Sequence, residues 1–148
     1  MIERYLTAIY EDGGRALPRI DCWGLTILAR HEMFGLPMLS SFGEVRHSNP
    51  RAFQRAYHTQ VQAALEECRP FPGAIAAALH GDLCVHVGLV VEREGRLQVL
   101  EINPGTQARV VRMQDFRDRD IFTKVIFYRD RILREQAGSG AAPSVSNR

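Results

Sequence analysis

Apolar residues in the first half of the chain recur at helical spacing and predict three helices. The first covers residues 2–10. The second begins at Cys22, with Asp21 as its N-cap, and ends near Gly35, because glycine readily terminates a helix. The third opens at Pro50, since proline is favoured at the first helical position, and continues to about residue 65.

After residue 70 the pattern changes to short apolar runs separated by glycines and polar turns, which is typical of β-strands. Strands are predicted at about 73–79, 84–92, 96–103, 108–113 and 121–129. The first two connections are short enough for antiparallel hairpins. Helices that precede a run of strands indicate an α+β fold, with the helices packed on one face of an antiparallel sheet of about five strands.

The length of 148 residues suits a single hydrophobic core, so we expect one domain over residues 1–133. Residues 134–148 have almost nothing to bury, which predicts a disordered tail. No long apolar run and no basic-then-apolar leader is present, so neither a membrane span nor a signal peptide is expected. The net charge of +2 resides in residues 129–148, and the neutral body argues against nucleic-acid binding.

The three cysteines, Cys22, Cys68 and Cys84, form neither a CxxC motif nor a paired framework, which favours a free thiol over a disulfide scaffold. Cys22 falls in the first turn of the second helix. The positive end of the helix dipole and its unpaired N–H groups favour the thiolate there, so we expect Cys22 to be the most reactive thiol. The alternative is a small buried hydrophobe, as free cysteines usually are.

A cysteine nucleophile needs a neighbouring base. His86 begins the apolar run of a strand that should be central, where a histidine is costly unless it is hydrogen-bonded or functional. A satisfied core histidine is the alternative. His31 lies too far along the helix from Cys22 to reach it. On the next strand, period-two alternation places Glu101 and Asn103 on one face, and either could orient the imidazole.

Several short motifs follow one another in an order that resembles the NlpC/P60 cysteine peptidases. They are Tyr10, Gly13-Gly14, Asp21-Cys22-Trp23-Gly24-Leu25, Phe71-Pro72-Gly73-Ala74-Ile75 and His86-Val87-Gly88-Leu89. The resemblance covers roughly residues 5–128. Tryptophan at position 23, with no signal peptide, is most similar to the bacteriophage members, which are encoded among tail genes and described as cell-wall peptidases.

The resemblance implies a papain-like core in which Cys22 is the nucleophile and His86 the base. An ungapped alignment places the family's third residue on Glu101, with Asn103 as the alternative. The residues implied to contact the substrate or the oxyanion are Tyr10, Asp21 and Trp23. The implied function is hydrolysis of amide bonds in peptidoglycan stem peptides, by a virion protein at the phage tail tip that contacts other tail proteins.

Two positions depart from the family pattern. Glu101 stands where histidine is usual, and its charge would favour an imidazolium–thiolate pair. Ala74 replaces the usual aspartate. These departures leave open a second interpretation, a tail assembly protein that keeps the fold with weak or no peptidase activity. A zinc site of Cys84, His86 and Cys22 lacks the usual ligand spacing and a fourth ligand, so neither a metal nor a cofactor is expected.

Overall fold

The computed structural model describes residues 1–131, and the predicted tail, residues 134–148, lies outside this range. The described residues form four helices: α1 Glu3–Leu6, α2 Cys22–Phe34, α3 Pro50–Ala64 and α4 Met113–Arg117. They also form nine strands: β1 Ile9–Tyr10, β2 Arg15–Ala16, β3 Arg19–Ile20, β4 Leu65–Cys68, β5 Ile75–His80, β6 Leu83–Arg93, β7 Arg96–Glu101, β8 Arg109–Arg112 and β9 Lys124–Asp130. No helix within residues 1–131 is long and apolar enough to cross a membrane.

The main sheet contains six antiparallel strands in the order β4-β9-β5-β6-β7-β8. Strands β5 to β8 form a meander, and β9 returns across the sheet to lie between β4 and β5. A second sheet, in the order β1-β3-β2, contains one parallel pair, β1 with β3. The predicted α+β class is therefore confirmed, and all five predicted strands are present.

One local prediction was wrong, and β4 and α4 were not predicted. Only Glu3–Leu6 is helical in the first segment, because Ile9 and Tyr10 instead pair with β3. The chain leaves α3 at Leu65 in an extended conformation and forms β4 against β9, a long-range pairing that local periodicity does not report. Helix α4 was missed because it has five residues, too few to show a period.

Helix α2 begins and ends as its sequence predicts. The Asp21 Oδ1 atom accepts a hydrogen bond from the Gly24 N–H at 2.8 Å, which satisfies one orphan donor of the first turn. The helix ends at Gly35, whose φ of 66° favours glycine. Gly24 has no room for a side chain, because a Cβ there would collide with the Gly14 carbonyl. The start of α2 is thereby held against the small sheet.

Both faces of the main sheet are covered, which corrects the prediction that helices pack on one face only. The first cluster lies between the sheet and helices α2 and α3, and includes Cys22, Leu25, Cys84, Val87 and Leu89. The second cluster lies under α4 and the segment after it, and includes Ala76, Ala78, Val90, Val99, Phe116 and Phe122. Alternation along β5 to β7 sends successive side chains to opposite clusters.

Arg30 is a buried charged residue of α2, with 1% of its surface exposed. Its Nη1 donates to the Pro37 carbonyl at 2.8 Å. Its Nη2 lies 2.5 Å from Asp130 Oδ2, without the alignment of a hydrogen bond, and Nε has no hydrogen-bond partner among the described residues. The ion pair with Asp130 therefore ties α2 to the end of β9.

Candidate active site

Cys22 lies in the first turn of α2, and its thiol faces the main sheet. The backbone N–H groups of Val87 and Trp23 point at the sulfur and favour the thiolate. Burial outweighs them, because only 2% of the residue is exposed, and with the charge of Asp21 it raises the pKa of the Cys22 thiol to about 12. In this arrangement the residue is a protonated thiol at neutral pH.

The other two cysteines differ in exposure. Cys84 is buried, its thiol donates to the His86 carbonyl at 3.7 Å, and burial raises its pKa to about 12. Cys68 lies on the edge strand β4 and is only partly buried. Burial raises its pKa as well, against the lowering effect of Arg129. The structure thus makes Cys68, and not Cys22, the most accessible of the three thiols.

His86 and Glu101 are in direct contact, one of the two alternatives that the alternation along β7 predicts. His86 Nε2 lies 2.8 Å from Glu101 Oε1, and both side chains are buried. An ionised carboxylate can only accept, so Nε2 carries the proton of this hydrogen bond. Among residues 1–131 no hydrogen bond joins Asn103 to the imidazole, and the Asn103 backbone binds Thr106 in the turn after β7. Of the two candidates for the orienting residue, the structure places Glu101 on His86.

The protonation state of His86 in this pair differs from the imidazolium that the sequence led us to expect. Burial lowers the pKa of His86, and this effect exceeds the opposing one of the Glu101 carboxylate. Burial acts to raise the pKa of Glu101, but hydrogen bonds from His86 and Arg119 outweigh it and lower that pKa to about 2. The pair at neutral pH is therefore an imidazole and a carboxylate, and the negative charge is balanced by arginine.

The structure does not join Cys22 to His86 by a hydrogen bond within residues 1–131. The imidazole packs in the second cluster, 5.8 Å from the Phe116 ring centroid and 6.0 Å from that of Phe122. The thiol belongs to the first cluster and meets β6 at the backbone of Val87, the next residue after His86. The predicted nucleophile on α2 thus contacts β6 next to His86, but the thiol and the imidazole lie on opposite faces of the sheet and are not in contact.

A β-bulge in β6 contributes to this arrangement. Ala78 pairs with His86 whereas Leu79 pairs with Cys84, so Val85 is an extra residue in the strand. Without the bulge, Cys84 and His86 would point to the same face. With it, Cys84 points into the first cluster and His86 into the second.

The three residues implied to contact the substrate have different surroundings. Tyr10 lies near the Cys22 thiol. Burial raises the pKa of the Tyr10 phenol, and the neighbouring thiol raises it further. The Asp21 carboxylate is occupied by the N–H groups of Gly13 and Gly24 and by Arg15, each between 2.7 and 2.8 Å. These contacts give Asp21 a structural role at the start of α2.

Trp23 anchors the loop that follows α2. Its indole Nε1 donates to the Ser40 carbonyl at 3.0 Å, and its ring packs 6.5 Å from that of Phe42. The tryptophan also lines a narrow apolar crevice between α3 and the sheet, together with Phe53, Val61 and Val87. The charged residues of the crevice, Arg15 and Asp21, bind each other, so the crevice suits an uncharged group.

Sequence reasoning missed three residues close to β6 and β7. His47, in the loop after α2, lies 2.7 Å through its Nε2 from the Val85 carbonyl at the bulge. Arg109 donates to Glu101 Oε2 at 3.0 Å, and Arg119 binds the same oxygen. Arg109 could have been found, since it faces Glu101 across the β7–β8 ladder. Nothing local marks His47 or Arg119, because loops bring both to the sheet.

Among residues 1–131, no three His, Cys, Asp or Glu side chains converge in a way that could hold a metal ion. This includes the set considered from the sequence, Cys22, Cys84 and His86. The candidate site is therefore described by a thiol at a helix start, an imidazole on the adjacent strand segment and a buried carboxylate. No protein-family model, curated protein or solved structure matches this chain.

Proposed function

We propose that the chain is a thiol hydrolase of the NlpC/P60 type that cleaves amide bonds in peptidoglycan stem peptides as part of a phage tail. One observation carries the proposal: the Cys22 thiol, at the start of α2, meets β6 beside His86, and Glu101 binds the imidazole. A nucleophile, a base and an orienting carboxylate are the parts that thiol catalysis needs. The substrate and the tail setting rest on the motif resemblance.

Each residue has a defined step in the proposed reaction. His86 Nδ1 takes the proton of the Cys22 thiol, because Nε2 is bound to Glu101. The sulfur then attacks the amide carbon, and N–H groups at the start of α2 stabilise the oxyanion. The C–N bond breaks as the imidazolium protonates the leaving amine, which leaves a thioester on Cys22. Water, deprotonated by His86, hydrolyses the thioester and restores the thiol.

The first step requires a rearrangement, because the structure contains no hydrogen bond between the thiol and the imidazole among the described residues. Nδ1 must approach the sulfur, and the raised pKa of Cys22 must fall as the thiol gains a partner. The imidazole packs on the opposite face of the sheet from the thiol, so β6 must rearrange at its bulge to bring them together. Binding of substrate or of a tail partner would have to drive that rearrangement.

The unformed contact also favours a second candidate function. A buried thiol with a pKa of about 12, and without a base, suits a tail assembly protein that keeps the fold and binds neighbouring tail proteins. Under this candidate, Cys22 is a packing residue of the first cluster.

Incubation of the purified chain with murein peptides, with detection of new amino groups, distinguishes the two functions. The wild type should release amines and Cys22→Ala should not. Cys84→Ala is a matched control, because it removes a second buried thiol with an equally raised pKa. Equal release by Cys22→Ala would exclude this nucleophile, and no release by the wild type, even with its tail partners added, would favour the assembly protein.

A further inference from the structure

Glu101 is the last residue of β7, and its carboxylate is completely shielded from solvent. A buried carboxylate is costly unless donors satisfy both oxygens. Here the oxygens are divided. His86 Nε2 binds Oε1, whereas Arg109 and Arg119 both bind Oε2. The guanidinium groups therefore hold one oxygen and leave the other to the imidazole.

The two arginines differ in their surroundings. The Arg109 side chain is 53% exposed, whereas that of Arg119 is 23% exposed. The Arg119 guanidinium carbon lies 5.2 Å from the Phe116 ring centroid and 5.4 Å from that of Phe122. These are the two rings that pack on His86. Arg119 thus contacts the carboxylate and also the rings on which the imidazole rests.

We infer that Arg119 is a positioning residue: it holds the Glu101 carboxylate with Oε1 directed at His86, which fixes the imidazole proton on Nε2, and its own positive charge disfavours the imidazolium. The basic nitrogen is then Nδ1, the atom that the proposed hydrolysis uses. The inference rests on the proposed function only in assigning Nδ1 as the base for hydrolysis. The tautomer and charge of His86 can be measured whether or not the protein is a hydrolase.

Charge balance around the imidazole supports this role. The charged and titratable groups that act on His86 are Glu101 on β7, Arg119 after α4 and His47 in the loop before α3. Glu101 favours the imidazolium, and Arg119 and His47 oppose it. Burial is the largest effect on the His86 pKa and lowers it, and Arg119 adds to burial by offsetting the carboxylate, so both favour the neutral imidazole that can act as a base.

The test is a titration of the imidazole nitrogens of His86 by ¹⁵N NMR, with the signals assigned by their loss in His86→Gln. The wild type should show the Nε2–H tautomer at pH 7 and a pKa below the usual value for histidine. Arg119→Met keeps an apolar stem over the two rings but removes the charge, and should raise the His86 pKa by about one. Arg119→Lys should restore most of the wild-type value.

Arg119→Gln is the second variant, in case Arg119→Met does not fold, since glutamine can still donate to Glu101 without charge. It should retain the tautomer and raise the His86 pKa. Arg112→Met is the control, because Arg112 is an exposed arginine paired with Asp115 away from His86. A His86 pKa that is unchanged in folded Arg119→Met or Arg119→Gln would overturn the inference. Predicted NMR changes without hydrolysis by the wild type would contradict the proposed function alone.

Discussion

Removal of the Glu101 charge should destabilise the protein in a way that depends on pH. The Glu101 pKa is about 2 in the folded protein, against an ordinary value of 4.5. Each unit of difference corresponds to about 1.4 kcal/mol, so the ionised carboxylate contributes about 3 kcal/mol to the free energy of unfolding at pH 7. The carboxylate has no exposed surface, so its contacts with His86 and Arg119 are little screened by solvent, whereas the half-exposed Arg109 contributes less.

The direction of this pH dependence follows from proton binding by the Glu101 carboxyl. The unfolded carboxyl takes up a proton more readily than the folded one, so the contribution is present above pH 4.5 and is lost as the pH falls from 4.5 towards 2. Glutamine resembles the protonated carboxyl. Glu101→Gln should therefore be less stable than the wild type by about 3 kcal/mol at pH 7, and the difference should shrink towards zero near pH 2.

Urea unfolding at pH 7, 5, 4 and 3, followed by far-UV circular dichroism, measures this difference. Asp115→Asn is a control, because Asp115 forms an ion pair on the surface and its removal should change stability little at any of these pH values. A Glu101→Gln difference that stays constant with pH, or that is below about 1 kcal/mol at pH 7, would refute the assignment of a buried and charge-stabilised carboxylate.

Three other predictions concern His86, the cysteines and the ion pair between Arg30 and Asp130. Because burial lowers the pKa of His86, its unfolded imidazole binds protons more readily, so stability should fall as the pH drops below 6.5, and urea unfolding should show a smaller fall in His86→Gln. Brief iodoacetamide treatment should label Cys68 before Cys22, as judged by peptide mass spectrometry, and faster labelling of Cys22 would mean that the site opens readily. Asp130→Ala should cost about 3 kcal/mol because it leaves the Arg30 charge buried and unpaired, whereas Arg30→Met should be nearly neutral in thermal unfolding. Equal destabilisation by Asp130→Ala and Arg30→Met would contradict this prediction.

Local rules predicted the parts of the fold that depend on neighbouring residues. The start of α2 follows from the Asp21 side chain and its end from Gly35, and the structure shows both caps. The contact between His86 and Glu101 was also within reach, because adjacent strands and period-two alternation are properties of short segments. These features required no knowledge of the distant chain.

Features that depend on long-range contacts could not be predicted in this way. The bulge at Val85 is defined by the pairing of β6 with β5, and it separates Cys84 from His86. Arg119 reaches Glu101 only because the segment after α4 covers the second face of the sheet. The burial of Cys22 also depends on long-range contacts. The start of α2 favours the Cys22 thiolate, but packing against the sheet raises the thiol pKa and favours the protonated form. The competing effects are both real, and their relative size is set by the tertiary structure.

Trapping of the thioester is the most direct test of Cys22 as a nucleophile. Wild-type protein turning over a murein stem peptide would be quenched in acid and digested, and the peptide containing Cys22 would be examined by mass spectrometry. The peptide should carry the acyl fragment of the substrate, and Cys84→Ala should behave in the same way. Amine release with an unmodified Cys22, or with the acyl fragment on Cys68, would contradict hydrolysis through Cys22.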